Sequence, residues 1–190
     1  MSALMEPFTT AMDLRTGQLE PERNVGVRTV GDMRGWFLAN DSGAAESVVY
    51  TVSTMPVPES VVELQSSTTR IHAGRVGDEF FMTKGHFHQK RDRSEIYMTV
   101  AGEGVLLMAT ESGEYRTEPM RPGTINYVPG GWAHRSVNVG DDDLVFLAAY
   151  IGDAGQDYAT IETRGFPVRV VQSGSGSGYA VVNNPRYHAA

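Results

Sequence analysis

Glycine and proline punctuate residues 47 to 172 at short intervals, and the segments between them are rich in valine, isoleucine, phenylalanine, tyrosine and threonine. Such runs are too short for stable helices and carry the residue types that favour a pleated backbone. The expected strands are 47–55, 68–73, 79–85, 94–102, 104–110, 124–129, 133–139 and 143–151. Eight short strands predict an all-β jelly-roll or a related closed barrel. Ala101-Gly102-Glu103-Gly104 and Gly140-Asp141-Asp142-Asp143 read as tight turns, each expected to join antiparallel neighbours.

The 190 residues suit one domain, since domains commonly run about 100 to 200 residues. It divides into an N-terminal extension over 1–46, a barrel core over 47–172, and a C-terminal strand and tail over 173–190. Within the extension, VGDMRGWFLAN (30–40) is expected to form a short peripheral helix, against the preference of Gly31 and Gly35. GSGSG (174–178) reads as a flexible turn between strands at 168–172 and 179–183.

The chain has no cysteine, so any metal must be held by nitrogen and oxygen ligands, which fits a reducing compartment without requiring one. The N-terminus lacks the basic start and apolar stretch of a signal peptide, and the longest aliphatic run, 144–151, is too short to cross a bilayer. A cytoplasmic protein without a membrane partner is expected. The net charge of −7, with basic residues scattered, argues against nucleic acid.

Four residues concentrate the chemistry. In KGHFHQKRDRSEIY, His86 and His88 stand two apart, so on a strand both imidazoles share one face, about 7 Å apart. Glu95 follows after the turn-like segment 89–94 and can return antiparallel beside them. In GTINYVPGGWAHRSVN, Gly123 and the Pro129-Gly130-Gly131 reversal lead into a strand that starts with His134. By parity Ser136 and Asn138 share the face of His134, while Arg135 and Val137 take the other. One inward histidine is usually a hydrogen-bonded core residue, but three with a carboxylate point to a metal site. His86, His88, Glu95 and His134 would fill four octahedral positions and leave two adjacent ones open. These donors admit Fe²⁺, Mn²⁺, Ni²⁺, Zn²⁺ or Co²⁺. His72 and His188 have no partner in sequence and read as surface residues.

These two stretches resemble the motifs of the cupin superfamily. The second fits at every fixed position; in the first, the interval from His88 to Glu95 is longer than in the commonest form, and Gly77 lies farther ahead of His86. The resemblance puts Fe²⁺ first, with one divalent ion per subunit. TKGHFHQKRDRSEIY, YVPGGWAHRSVN, FLAAYIGDAGQDYATI, GF and NNPRY, together with EPF (6–8) and GDMRGWF (31–37), look like the cupin-type phosphoglucose (glucose-6-phosphate) isomerases over nearly the whole chain.

That likeness implies reversible interconversion of D-glucose 6-phosphate and D-fructose 6-phosphate, in glycolysis and gluconeogenesis, by a homodimer. Thr69, Thr83, Gly85, Tyr150 and Tyr158 match positions that hold the substrate phosphate, with Lys84 beside them and Tyr50 on the sugar hydroxyls. Hydroxyl and N–H groups bind a dianion strongly without a lysine cluster. Glu95 would be the catalytic group, with His134 beside it and Tyr97 on the sugar hydroxyls. A cis-enediol route through Glu95 and a direct hydride shift both stay open. Gln156 stands where some members of that family carry a histidine, and it cannot titrate. An iron dioxygenase on the same four ligands and a non-catalytic metal- and sugar-binding cupin are the competing readings.

Overall fold

The computed structural model describes residues 5–39, 44–174 and 178–189. The chain runs through β1 (Ala11–Met12), β2 (Leu19–Glu20), β3 (Asn24–Thr29), β4 (Val48–Thr54), β5 (Leu64–Ile71), β6 (Arg75–Val76), β7 (Glu79–Phe80) and β8 (Glu95–Ala101). It continues through β9 (Gly104–Ala109), β10 (Tyr115–Met120), β11 (Ile125–Val128), β12 (Ala133–Asn138), β13 (Leu144–Ile151), α1 (Tyr158–Arg164), β14 (Val168–Gln172) and β15 (Tyr179–Asn183).

The fold is the expected all-β barrel. A six-stranded antiparallel sheet, ordered β11-β8-β13-β5-β4-β3, faces inward on one side of a cavity. Strand alternation decides what the cavity sees: Phe146, Ala148 and Tyr150 of β13 point in, while Leu147 and Ala149 point out. The three-stranded sheet β10-β9-β12 contributes the opposite wall, and isolated bridges lay residues 82–86 alongside β12. A four-stranded sheet, β15-β14-β7-β6, and the β1–β2 hairpin complete the sheets among the described residues.

Several expectations are corrected. The two glycine turns do not close hairpins: β8 and β13 lie in the six-stranded sheet, whereas β9 and β12 lie in the three-stranded one. Both turns are corners at which the chain changes sheets, and they pack on each other. Gly102 sits at φ +76°, and a Cβ there would lie 2.3 Å from the carbonyl oxygen of Asp143, so only glycine permits the contact.

The barrel also starts before residue 47, because β3 pairs with β4 as an edge strand. The expected strand at 68–73 begins at Leu64 and ends at Ile71, its early part hidden by the polar letters of Gln65, Ser66 and Ser67. β10 was not expected because YRTEPM contains a proline, which an edge strand tolerates. Only Glu79–Phe80 of 79–85 is regular strand.

Residues 30–36 form successive turns rather than a helix, with Gly35 in the left-handed region at φ +85°; Asn40 lies outside the described residues. The helix is α1 instead. Asp157 caps it by accepting from the Thr160 N–H at 3.1 Å, and the N–H of Gly165 returns to the Ile161 carbonyl. Of the GSGSG turn, residues 175–177 lie outside the described residues.

The core has two parts. One fills the space between the facing sheets with residues including Phe81, Leu106, Met108, Tyr97 and Phe146. The other joins Phe87, Leu107, Ala133, Ile161 and Phe166, and holds α1 against the outside of the histidine-bearing segment. Phe87 is buried at 3% exposure, so its side chain anchors the segment while His86 and His88 line the cavity.

Candidate metal centre and active site

Three structural units deliver the four ligands. The His86 and His134 backbones exchange hydrogen bonds at 3.0 and 3.2 Å. Glu95 opens β8, held between Val128 of β11 and Tyr150 of β13. The imidazole centroids of His86 and His134 lie 4.6 Å apart, those of His88 and His134 5.2 Å, and those of His86 and His88 5.7 Å. One ligand atom from each of the four residues falls within 4.8 Å of all the others, so the group can hold a metal ion.

The hydrogen bonding fits that use. His88 Nδ1 lies 2.9 Å from the Arg93 carbonyl and His134 Nδ1 lies 3.3 Å from the Trp132 carbonyl. A carbonyl accepts only, so Nδ1 of each ring carries a proton, and Nε2 presents a lone pair whenever the ring is neutral. Both Nε2 atoms lie 3.1 Å from Oε2 of Glu95. The His134 contact is close but misdirected, and its Nε2 is buried without a hydrogen-bond partner. With both rings neutral, two lone pairs would converge on a carboxylate oxygen at 5% exposure, an arrangement that a cation held between them would satisfy.

The electrostatics follow. Burial raises the carboxyl value of Glu95, but the His134 and His88 imidazoles outweigh it and bring it to about 2. Burial and then His134 hold His86 well below an ordinary imidazole, although part of its ring faces the open cavity. For His88 burial works downward, yet the hydrogen bond and charge of Glu95 win, and its value rises.

The segment 89–94, longer than the commonest motif, is pinned rather than loose. Arg93 grips Asp153 with two nitrogens at 2.8 and 3.0 Å, Lys90 joins the same carboxylate, and Arg91 reaches Asp157 at 2.7 Å. Through the Arg93 carbonyl this scaffold fixes the tautomer of His88.

The cavity has a volume of about 550 Å³. The structure brings Thr69, Thr83, Lys84, Gly85, Tyr50, Tyr150 and Tyr158 onto its walls with Tyr97, Gln156 and the four ligand residues. The Gly85 N–H has no acceptor among the described residues. Burial raises the hydroxyl values of Tyr50, Tyr97, Tyr150 and Tyr158, so all four remain protonated donors at neutral pH. The Lys84 ammonium lies 5.3 Å over the Trp36 ring. Gln156 accepts from the Tyr158 hydroxyl at 2.9 Å.

Sequence reasoning missed Arg23, Arg28 and Ser67, which also line the cavity. The alternation in NVGVRT (24–29) could have exposed Arg28 as an inward position of a strand. His72 does have a partner, Asp143 at 3.2 Å, and the pair is no part of the cavity lining; His188 is exposed, as expected.

A barrel of facing sheets around three imidazoles and a carboxylate defines an all-β barrel protein with a candidate metal site. Its sequence is narrower than that. The family model described as glucose-6-phosphate isomerase matches residues 28–186. The glucose-6-phosphate isomerase of Pyrococcus horikoshii is 43% identical over 187 residues, covering 96% of this chain and 97% of that one. That of Thermococcus litoralis is 43% identical over 188 residues (96% and 97%), and that of Sinorhizobium medicae 38% over 191 residues (97% and 89%). The chain belongs to the glucose-6-phosphate isomerase family.

Among solved structures, an oxalate oxidase overlaps 67% of this chain and 62% of its own, with a TM-score of 0.49 and 16% identity. A Bacillus subtilis oxalate decarboxylase overlaps 57% and 27%, with a TM-score of 0.45 and 24% identity. Overlaps this partial say nothing of what the chain does. Among the described residues no helix is long and apolar enough to cross a membrane.

Proposed function

We propose that this protein interconverts D-glucose 6-phosphate and D-fructose 6-phosphate at the His86, His88, Glu95 and His134 cluster. The observation that carries the reading is a four-donor cluster at the base of a hydroxyl-lined cavity, in a chain of this isomerase family. His86, His88, Glu95 and His134 would hold a divalent ion, Fe²⁺ first by the family resemblance and Zn²⁺, Mn²⁺, Ni²⁺ or Co²⁺ admitted by the same donors, which would supply Lewis acidity toward sugar oxygens.

The chain's own groups do the rest. Thr69, Thr83, Tyr150, Tyr158 and the Gly85 N–H take the phosphate, with Lys84, Tyr50 and the unforeseen Arg28 nearby. The free Gly85 N–H and the protonated tyrosines support this, because each offers a donor to an anionic oxygen. Both imidazole contacts of Glu95 go to Oε2, which leaves Oε1 without a partner among the described residues. Oε1 removes the proton from C2 of the aldose and returns it to C1, and a proton exchanged between O2 and O1 completes the shift. Tyr97 donates to a sugar oxygen, and His134 holds Glu95 in place.

The test is conversion of fructose 6-phosphate in an assay coupled to glucose-6-phosphate dehydrogenase. Activity should vanish with a chelator and return with a divalent metal; a flat assay with metal-loaded protein ends the reading. Deuterium appearing at C1 or C2 in D₂O supports transfer through Glu95. Family membership leaves the dioxygenase and the non-catalytic readings without support.

The enzyme works in the cytoplasm, where its substrates are, and as a homodimer. The outer face of the six-stranded sheet supports the latter, since Ile125, Tyr127 and Ile96 are exposed there on adjacent strands. Ile125→Lys with Tyr127→Lys should convert the dimer to monomer in sedimentation.

A further inference from the structure

Behind the catalytic cavity lies a second one of about 300 Å³, between the 34–38 turn, α1 and the C-terminal segment. Four arginines line it, Arg34, Arg135, Arg169 and Arg186, against two carboxylates, Glu79 and Glu162. Trp36 and Phe166 supply an aromatic wall.

The arginines are poorly compensated. Arg135 is only 6% exposed, yet it makes no ion pair among the described residues. Its Nε and one terminal nitrogen share the Lys84 carbonyl at 3.2 and 2.6 Å, while Nη1 makes no hydrogen bond among the described residues. Its guanidinium stacks 4.5 Å over Phe166. Arg169 reaches Asp78 and Glu79 only at 3.4 and 3.5 Å, and its Nε is buried without a hydrogen bond. Glu79 is the only buried carboxylate on this wall, and it accepts the Leu38 N–H. Arg34 is exposed and unpaired among the described residues.

A buried guanidinium without a counter-ion is costly, and an anion placed among several of them recovers that cost through paired, charge-assisted hydrogen bonds. Cavities from about 300 Å³ upward suit small ligands. We propose that this cavity is a second anion site, separate from the catalytic one, that takes a small phosphate-bearing anion on Arg34, Arg135 and Arg169. Consecutive residues of β12 line the two cavities, His134 the catalytic one and Arg135 this one. Arg135 follows His134 on β12 and holds the carbonyl immediately before Gly85.

The experiment titrates the metal-loaded full chain with inorganic pyrophosphate by calorimetry at physiological salt. It is run with and without a saturating equilibrium mixture of glucose 6-phosphate and fructose 6-phosphate. Expected is a site that persists under the sugar phosphates and is weakened about tenfold or more in Arg34→Gln/Arg169→Gln. That variant should keep its isomerase kcat. The Arg34→Gln single variant alters only an exposed, unpaired side chain, and decides if the double variant folds poorly. Pyrophosphate binding that the sugar phosphates abolish, or that both variants leave unchanged, overturns the proposal. If the protein shows no isomerase activity, the arginine variants still decide this site independently.

Discussion

Gly85→Ala tests how tightly the catalytic loop is built. Gly85 sits at φ +72°, and a Cβ there would lie 2.8 Å from the Phe166 ring, 2.9 Å from Arg135 Cβ and 2.9 Å from the His134 carbonyl oxygen. Two penalties add. The left-handed backbone costs a residue with a Cβ about 1–2 kcal/mol. Pushing a methyl into filled space costs about 1–3 kcal/mol more, and Phe166, at 1% exposure, has no room to retreat. The sum is about 2–5 kcal/mol, to be read from urea unfolding of the metal-free protein. Gly123→Ala isolates the first penalty, because Gly123 has φ +89° with nothing within 4 Å of its Cβ position. It should cost about 1–2 kcal/mol and leave activity intact. Gly85→Ala should also lower kcat/KM by about 100-fold, since the adjacent His86 is displaced. Equal destabilisation by the two substitutions would refute the steric reasoning, and so would a Gly85→Ala enzyme of normal activity.

Four further outcomes are expected. His88→Ala or Glu95→Ala should abolish stoichiometric metal in elemental analysis while the barrel's circular dichroism persists; full metal content would contradict the ligand set. Thr83→Ala should raise KM more than it lowers kcat, although Thr83 Oγ1 also accepts from the Ser136 N–H at 3.2 Å, so a small stability loss should accompany it. Arg93→Ala should weaken metal affinity about tenfold by releasing the loop whose carbonyl orients His88, and unchanged affinity would sever that link. In the metal-free protein His86 is held low, so the unfolded chain binds a proton that the folded chain refuses. Its contribution to stability is therefore present above its unfolded value near 6.5 and lost as pH falls below it. His88, raised by Glu95, contributes oppositely, its share present below 6.5 and lost as pH rises through its folded value. His86→Asn should flatten the acid-side fall of the urea midpoint; an unaltered slope refutes the assignment.

Much of the centre was legible in the chain itself. His86, His88, Glu95 and His134 needed only parity and a short return to be grouped, and the structure groups them within 4.8 Å. The hydroxyl positions on the cavity wall came from the family likeness rather than from spacing, since Thr69 and Tyr150 come to share one wall only after β5 and β13 pair. Arg28 escaped because the alternation of its strand is inverted, with Val25 and Val27 exposed and Gly26 and Arg28 lining the cavity. α1 escaped because seven residues offer too little periodicity, and its signal was the Asp157 cap followed by Gly165.

The order of residues along the chain determined an all-β class, the kinds of ligand atom available and the positions of the sharp bends, because alternation, missing cysteines and glycine conformations are local properties. Which strands meet is a different matter. The glycine corners look like hairpins in sequence and are crossings between sheets, since burial of two facing apolar surfaces outweighs local pairing. The lone pairs gathered on one oxygen of Glu95, and the arginines gathered behind Gly85, exist only once distant segments are packed together, because electrostatic work is done over distances through space that the chain does not record.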